Sequence, residues 1–198
     1  MATTKVKLFL TSKCTKPSTK CCKVLLLLDH VDMLGAAPSS SSKVLEDLLQ
    51  LDSDGHQWAL IKAVAASLKP SPDFGSSAEC HVIDSDGLHR TFVVACLSTA
   101  CSRHNSPSRC HSIKSAVAKL SVGSEDALIV LVPISVEHVL AQFCAVGRCF
   151  TPFCMKTGSN SKDNNVVMVT ACPFALSAEI DQHQLDVAQY TIDGIRYI

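Results

Sequence analysis

The chain has 198 residues, enough for one domain of above-average size with a sizeable buried core. Hydrophobic residues make up 47% of it and charged residues 18%, which excludes a disordered chain. Lysine and arginine together number 18, as do aspartate and glutamate, so the net charge of zero offers no general attraction to nucleic acid or to an anionic membrane. The amino-terminal MATTKVKLFL has lysines inside its apolar stretch and no small-residue cleavage site, unlike a secretory signal. The longest apolar run, Val24 to Leu28, is far below the roughly 20 residues that span a bilayer. The expectation is a soluble, cytoplasmic protein.

In chain order, residues 3–10 alternate as a first strand with Val6, Leu8 and Leu10 on one side. Residues 11–20 form a polar, lysine-bearing connection, and residues 22–28, apolar throughout, predict a central strand covered on both faces. A surface stretch follows over 30–42, with Gly35, Pro38 and four serines. Two helices come next. The first covers 43–51, with Val44, Leu45, Leu48 and Leu49 inward. The second covers 56–68, with Trp58, Ile61, Ala65 and Leu68 at helical spacing, and Lys69-Pro70 stops it. Residues 79–84 read as a strand, and the turn signal Ser85-Asp86-Gly87 joins it to a strand over 90–97 as a hairpin.

From that strand the chain passes through a polar loop, Ser102-Arg103-His104-Asn105, into a helix opened by Ser106 as cap and Pro107 in the first turn. Ile113, Val117 and Leu120 form its inward stripe. A continuous apolar strand over 127–132 ends at Pro133, and a helix over 136–147 turns Val139, Leu140, Phe143 and Val146 inward. Residues 165–171 predict a last strand. A helix over 179–197 carries Ile180, Leu185, Ala188, Ile192 and Ile195. The sum is a three-layer α/β/α sandwich with a mixed sheet of about six strands in a single domain over 1–198. The final helix has no capping glycine, proline or polar tail, so the expectation is a chain cut from something longer.

Little in the sequence is catalytic. It has no glycine-rich phosphate loop, no HExxH, no GxSxG and no recognisable pair of acidic residues. Eleven cysteines could mean disulfides. The odd count, the missing signal and the placing of Cys80, Cys96, Cys144 and Cys172 inside strand and helix patterns favour reduced thiols that pack as small hydrophobes. Zinc is a competing reading, because Cys96, Cys101, His104, Cys110 and His111 fall close together and Cys144, Cys149 and Cys154 recur every five residues. Structural zinc sites pair ligands two to four residues apart on knuckles, and no CxxC occurs. The remaining candidate is an anion-binding loop at a helix N-terminus, formed by Arg103, His104, Asn105 and Ser106. Its bland alternative is a polar loop that satisfies its own backbone. Gly147-Arg148 and Lys156 make a modest basic cluster, read as solvated surface.

Three segments carry a resemblance. Ser102-Arg103-His104-Asn105-Ser106-Pro107-Ser108, the stretch Cys144-Ala145-Val146-Gly147-Arg148-Cys149-Phe150-Thr151-Pro152-Phe153, and Thr191-Ile192-Asp193-Gly194-Ile195-Arg196 resemble, in order and spacing, segments of the leucyl aminopeptidase family of metallo-exopeptidases. Within it the chain is most similar to the aminopeptidase-like branch found in animals. The family's ARAFP appears here as GRCFTP, with one residue inserted before the proline.

The resemblance implies a macro-domain-like amino-terminal domain whose residues 179–198 begin the helix leading into a catalytic domain. It also implies a parent that removes amino-terminal residues from peptides with two divalent metal ions, zinc or manganese, bound in that catalytic domain. The motif NTDAEGR of the catalytic domain does not occur here, so no catalytic or metal-binding residue is assigned in this chain. The implied partners are the chain's own catalytic domain, other copies in a family hexamer, and peptide substrates, with neither nucleic acid nor membrane. The domain's own work would be assembly or access control. Two alternatives from other classes are a macro-like site for a nucleotide or ADP-ribose and a zinc-stabilised interaction module.

Overall fold

In the computed structural model the described residues are 5–10, 21–36, 45–46, 48–49, 51, 55–83, 87–101, 109–120, 126–150, 166–171 and 182–196. Six strands form one sheet: β1 (Lys5–Leu10), β2 (Cys21–Leu28), β3 (Ser76–Ile83), β4 (His89–Cys96), β5 (Asp126–Val132) and β6 (Val166–Ala171). The helices bounded among the described residues are α1 (Met33–Ala36), α2 (His56–Ser67), α3 (Cys110–Lys119), α4 (Val136–Gly147) and α5 (Gln182–Arg196). The sheet order is β1-β6-β5-β2-β4-β3, parallel throughout except for β3, which runs antiparallel to β4. The expected mixed sheet of about six strands is thus present.

β2 shows why its sequence is apolar without alternation. Side chains of a strand point to opposite faces in turn, and both faces here are covered. Leu25 and Leu27 enter a core with Val93, Ile129, Ile113, Phe143 and Leu185, beneath α3, α4 and α5. Val24, Leu26 and Leu28 enter a second core with Trp58, Ile61, Phe92 and Val130, beneath α2 and the helical residues around Leu45, Leu48 and Leu49. Two cores on one sheet make three layers.

The helical stripes follow the same logic. In α2, Trp58, Ile61, Ala65 and the following Leu68 are all buried, as their spacing predicts. In α3, Ile113, Val117 and Leu120 are buried. The stripe of α4 needs a correction: Val139, Phe143 and Val146 face the core, but Leu140 is 41% exposed and the inward position beside them belongs to a polar residue, Gln142. In α5, Leu185 and Ala188 are buried, while Ile180 and the side chains of Ile192 and Ile195 lie outside the described residues.

The hairpin also differs in length. β3 begins at Ser76, three residues before the strand expected over 79–84, and pairs without interruption from Ser76 opposite Cys96 to Ile83 opposite His89. A tight approach sets its start. A Cβ on Gly75 would stand 2.6 Å from the Cys96 carbonyl oxygen, so only glycine fits there. At the other end Gly87 takes φ +76°, the left-handed conformation that the turn needs.

Candidate functional site

The chain leaves β4 on one side of β2 and returns as β5 on the other, so the carboxyl ends of these strands form a switch point, the place where α/β sheets commonly hold ligands. Directly after the Leu25–Leu28 run, Asp29 lies at that switch point with its side chain only 2% exposed. A buried carboxylate must be paired or hydrogen-bonded, and this one is both. Its Oδ2 accepts the Ile134 N–H at 2.9 Å, and its Oδ1 accepts Gln142 Nε2 at 2.8 Å. Arg109 Nη1 stands 3.9 Å from Oδ1, and His138 Nδ1 stands 3.9 Å from Oδ2. Four segments therefore meet on one carboxylate: β2, the residue before α3, the β5–α4 turn and α4.

Arg109 is placed there at a local cost. It is the N-cap of α3 with φ 52° and ψ 49°, and no other described non-glycine residue has positive φ. That conformation costs on the order of 1 kcal/mol for an L-residue. The attraction of its guanidinium to Asp29 offsets this. α3 runs from Cys110 with Arg109 as its N-cap, and Ser106 and Pro107, the expected cap and first turn, lie outside the described residues. Ser112 in the first turn braces the end of β4, its Oγ accepting the Ser98 N–H at 3.2 Å. α4 begins as a capped helix should, with Ser135 Oγ accepting the Glu137 N–H at 3.3 Å.

Chemically the cluster is a brace. Asp29 and Arg109 are oppositely charged, and each Asp29 oxygen already holds a donor. Arg109 Nε and His138 Nδ1 are buried without a hydrogen bond.

The loop proposed from the sequence, Arg103, His104, Asn105 and Ser106, lies outside the described residues. Of the cysteines, Cys80 and Cys96 are buried free thiols in strands, Cys144 and Cys149 are half-buried, and Cys101 and Cys110 are exposed; Cys154 and Cys172 lie outside the described residues. Among the described residues no three His, Cys, Asp or Glu side chains converge to hold a metal ion. Arg148 is exposed, as expected of a solvated cation, and Lys156 lies outside the described residues.

Burial pushes the Cys96 thiol up to about 11; Arg109 works against this, while Asp29 and Asp32 add to it. A raised pKa means that the fold favours the protonated thiol. Its contribution to stability is therefore intact below the ordinary thiol pKa and is lost as pH rises through about 11. At pH 8, iodoacetamide is expected to label Cys101 and Cys110 within minutes and leave Cys96 unmodified until the chain unfolds, as read by peptide mass spectrometry. Labelling of Cys96 at the rate of Cys101 would contradict its placement.

Comparison with known proteins gives two results. Residues 46–159 match the family described as M17 aminopeptidase N-terminal domain 2. Among solved structures, the chain is similar to leucyl aminopeptidase from Trypanosoma brucei, with a TM-score of 0.61, 17% identity, and coverage of 93% of this chain and 35% of that one. It is also similar to leucine aminopeptidase from Caenorhabditis elegans, with a TM-score of 0.58, 18% identity, and coverage of 93% and 34% respectively. At this identity the likeness is one of fold. The chain spans about a third of the length of the solved structures it matches. No curated protein sequence matches it.

Proposed function

Since the chain belongs to the family of M17 aminopeptidase N-terminal domains, we propose that it is the non-catalytic amino-terminal part of a leucyl-aminopeptidase-like exopeptidase. The parent would release amino-terminal residues from peptides. The observation that carries this reading is the family match over 46–159, supported by a fold that covers nearly all of this chain but a third of the solved aminopeptidases.

The two divalent ions, zinc or manganese, would serve such a parent as Lewis acid and water activator in its catalytic domain. Among the described residues of this chain no three His, Cys, Asp or Glu side chains converge to hold them. Its own task is assembly or access control. A domain with this role needs a rigid frame and free surface. The Asp29 brace ties the sheet to the helical layer above it, and β3 is the outermost of the described strands on its side of the sheet.

Two measurements test the reading. The pure 198-residue chain should show no hydrolysis of Leu-p-nitroanilide with manganese or zinc added, and metal-dependent turnover would overturn it. Joined to a leucyl aminopeptidase catalytic domain that lacks its own amino-terminal domain, the chain should change the oligomeric state of the product, as read by light scattering. No change would remove the assembly role and leave access control.

A further inference from the structure

β3 is an outermost strand of the sheet, hydrogen-bonded to β4 alone among the described strands. Edge strands present unpaired N–H and C=O groups, and proteins blunt them with proline, lysine, bulges or short length. The β3 sequence, SSAECHVI, contains neither proline nor lysine, and its eight residues pair with β4 in unbroken register. At its end the Ile83 carbonyl accepts Gln57 Nε2 at 2.8 Å. The strand's two faces differ. Cys80 and Val82 are buried in the core beneath α2, whereas Ser77, Glu79, His81 and Ile83 are exposed.

The exposed face carries a carboxylate and an imidazole in a self-complementary order. Glu79 Oε1 lies 3.7 Å from His81 Nε2, and His81 Nδ1 is held by Thr91 Oγ1 at 3.2 Å, so the imidazole is fixed with its other nitrogen toward the carboxylate. Two such strands can pair antiparallel in several registers. Centred on Glu79 or on His81, like groups would stand opposite each other, which destabilises a sheet. Centred on Cys80, Glu79 stands opposite the partner's His81, and His81 opposite the partner's Glu79, giving two attractive cross-strand pairs on one face. Ser77 then faces the partner's Ile83. Both six-stranded sheets keep their helical layers on matching sides, because the two-fold axis runs perpendicular to the sheet.

We propose that β3 pairs antiparallel with β3 of a second copy about a two-fold axis through Cys80, joining two six-stranded sheets into one of twelve. This rests on the assembly reading above and gives it a specific surface.

Charge exchange tests it. Sedimentation equilibrium of the chain should show a dimer. Glu79→Lys and His81→Glu should each weaken association at least about tenfold, because two-fold symmetry applies every change twice. The double variant, Glu79→Lys with His81→Glu, should recover it. All of these positions are exposed, so the variants retain the fold, as circular dichroism would verify. Hydrogen exchange in the wild-type dimer should protect β3 amides that exchange rapidly at monomer concentrations. A dimer insensitive to both single changes, or one with unprotected β3 amides, would overturn the pairing while leaving assembly through another face. A chain that stays monomeric at millimolar concentration would overturn the pairing and any self-assembly of this domain.

Discussion

Replacing Asp29 by alanine is expected to destabilise the chain by about 3–5 kcal/mol, the range for removing one partner of a buried charged cluster. The side chain is almost completely buried and holds Ile134 N–H, Gln142 Nε2 and the Arg109 guanidinium at once. Its loss strands three donors where water cannot replace it. It also removes the attraction that offsets the left-handed backbone of Arg109. At this chain length the loss corresponds to a drop in melting temperature of about 10 °C or more. Asp29→Asn keeps one acceptor for Ile134 but turns an amide N–H₂ toward other donors, so about half the loss is expected. Calorimetry or thermal circular dichroism reads both. A change below 1 kcal/mol for the alanine variant would show that the cluster is not a brace.

Asp29 also marks the limit of what the sequence discloses. The strands and helices were legible because each is covered in a regular way: β2 through its unbroken apolar run, α2 through Trp58, Ile61 and Ala65 at helical spacing, the hairpin through Gly87. What failed was a place where a polar residue outranked the pattern. Leu140 fits the stripe of α4, yet the inward position goes to Gln142, because Asp29 on another strand needs a donor there. Ser106, a good cap on paper, lies outside the described residues, and Arg109 before α3 is drawn to the same carboxylate.

The cause is a contact spanning more than a hundred positions, between Asp29 and Gln142, which leaves no periodic trace. One signal was present. A lone acidic residue directly after five consecutive aliphatic residues at the end of a central strand is buried with that strand, and so needs partners. The candidate loop of Arg103 to Ser106 lies outside the described residues, and Arg109 beyond it enters the cluster. The β3 edge was hidden for a different reason. Alternation showed one exposed face, but only the sheet order puts that strand outermost.

Phe92 gives the second large effect, and a neighbouring phenylalanine supplies its control. Phe92 sits in the middle of β4, opposite Val24 of β2 on one side and Cys80 of β3 on the other, and is fully buried in the core with Trp58 and Ile61. Phe92→Ala removes a ring from a close-packed site between two strands that their own hydrogen bonds hold in place, so the cavity cannot collapse. The expected cost is about 3–5 kcal/mol. Phe74 has the same side chain but is 75% exposed, on a turn fixed by Ser71 through N–H and hydroxyl contacts to its backbone. Those contacts survive truncation, so Phe74→Ala is expected to change stability by no more than about 0.5 kcal/mol. Urea unfolding of the two variants should therefore differ in midpoint and agree in slope, since both chains expose nearly the same surface on unfolding. Equal midpoints would mean that β4 is not the buried strand between β2 and β3, and the six-stranded order, with β3 at its edge, would have to be redrawn.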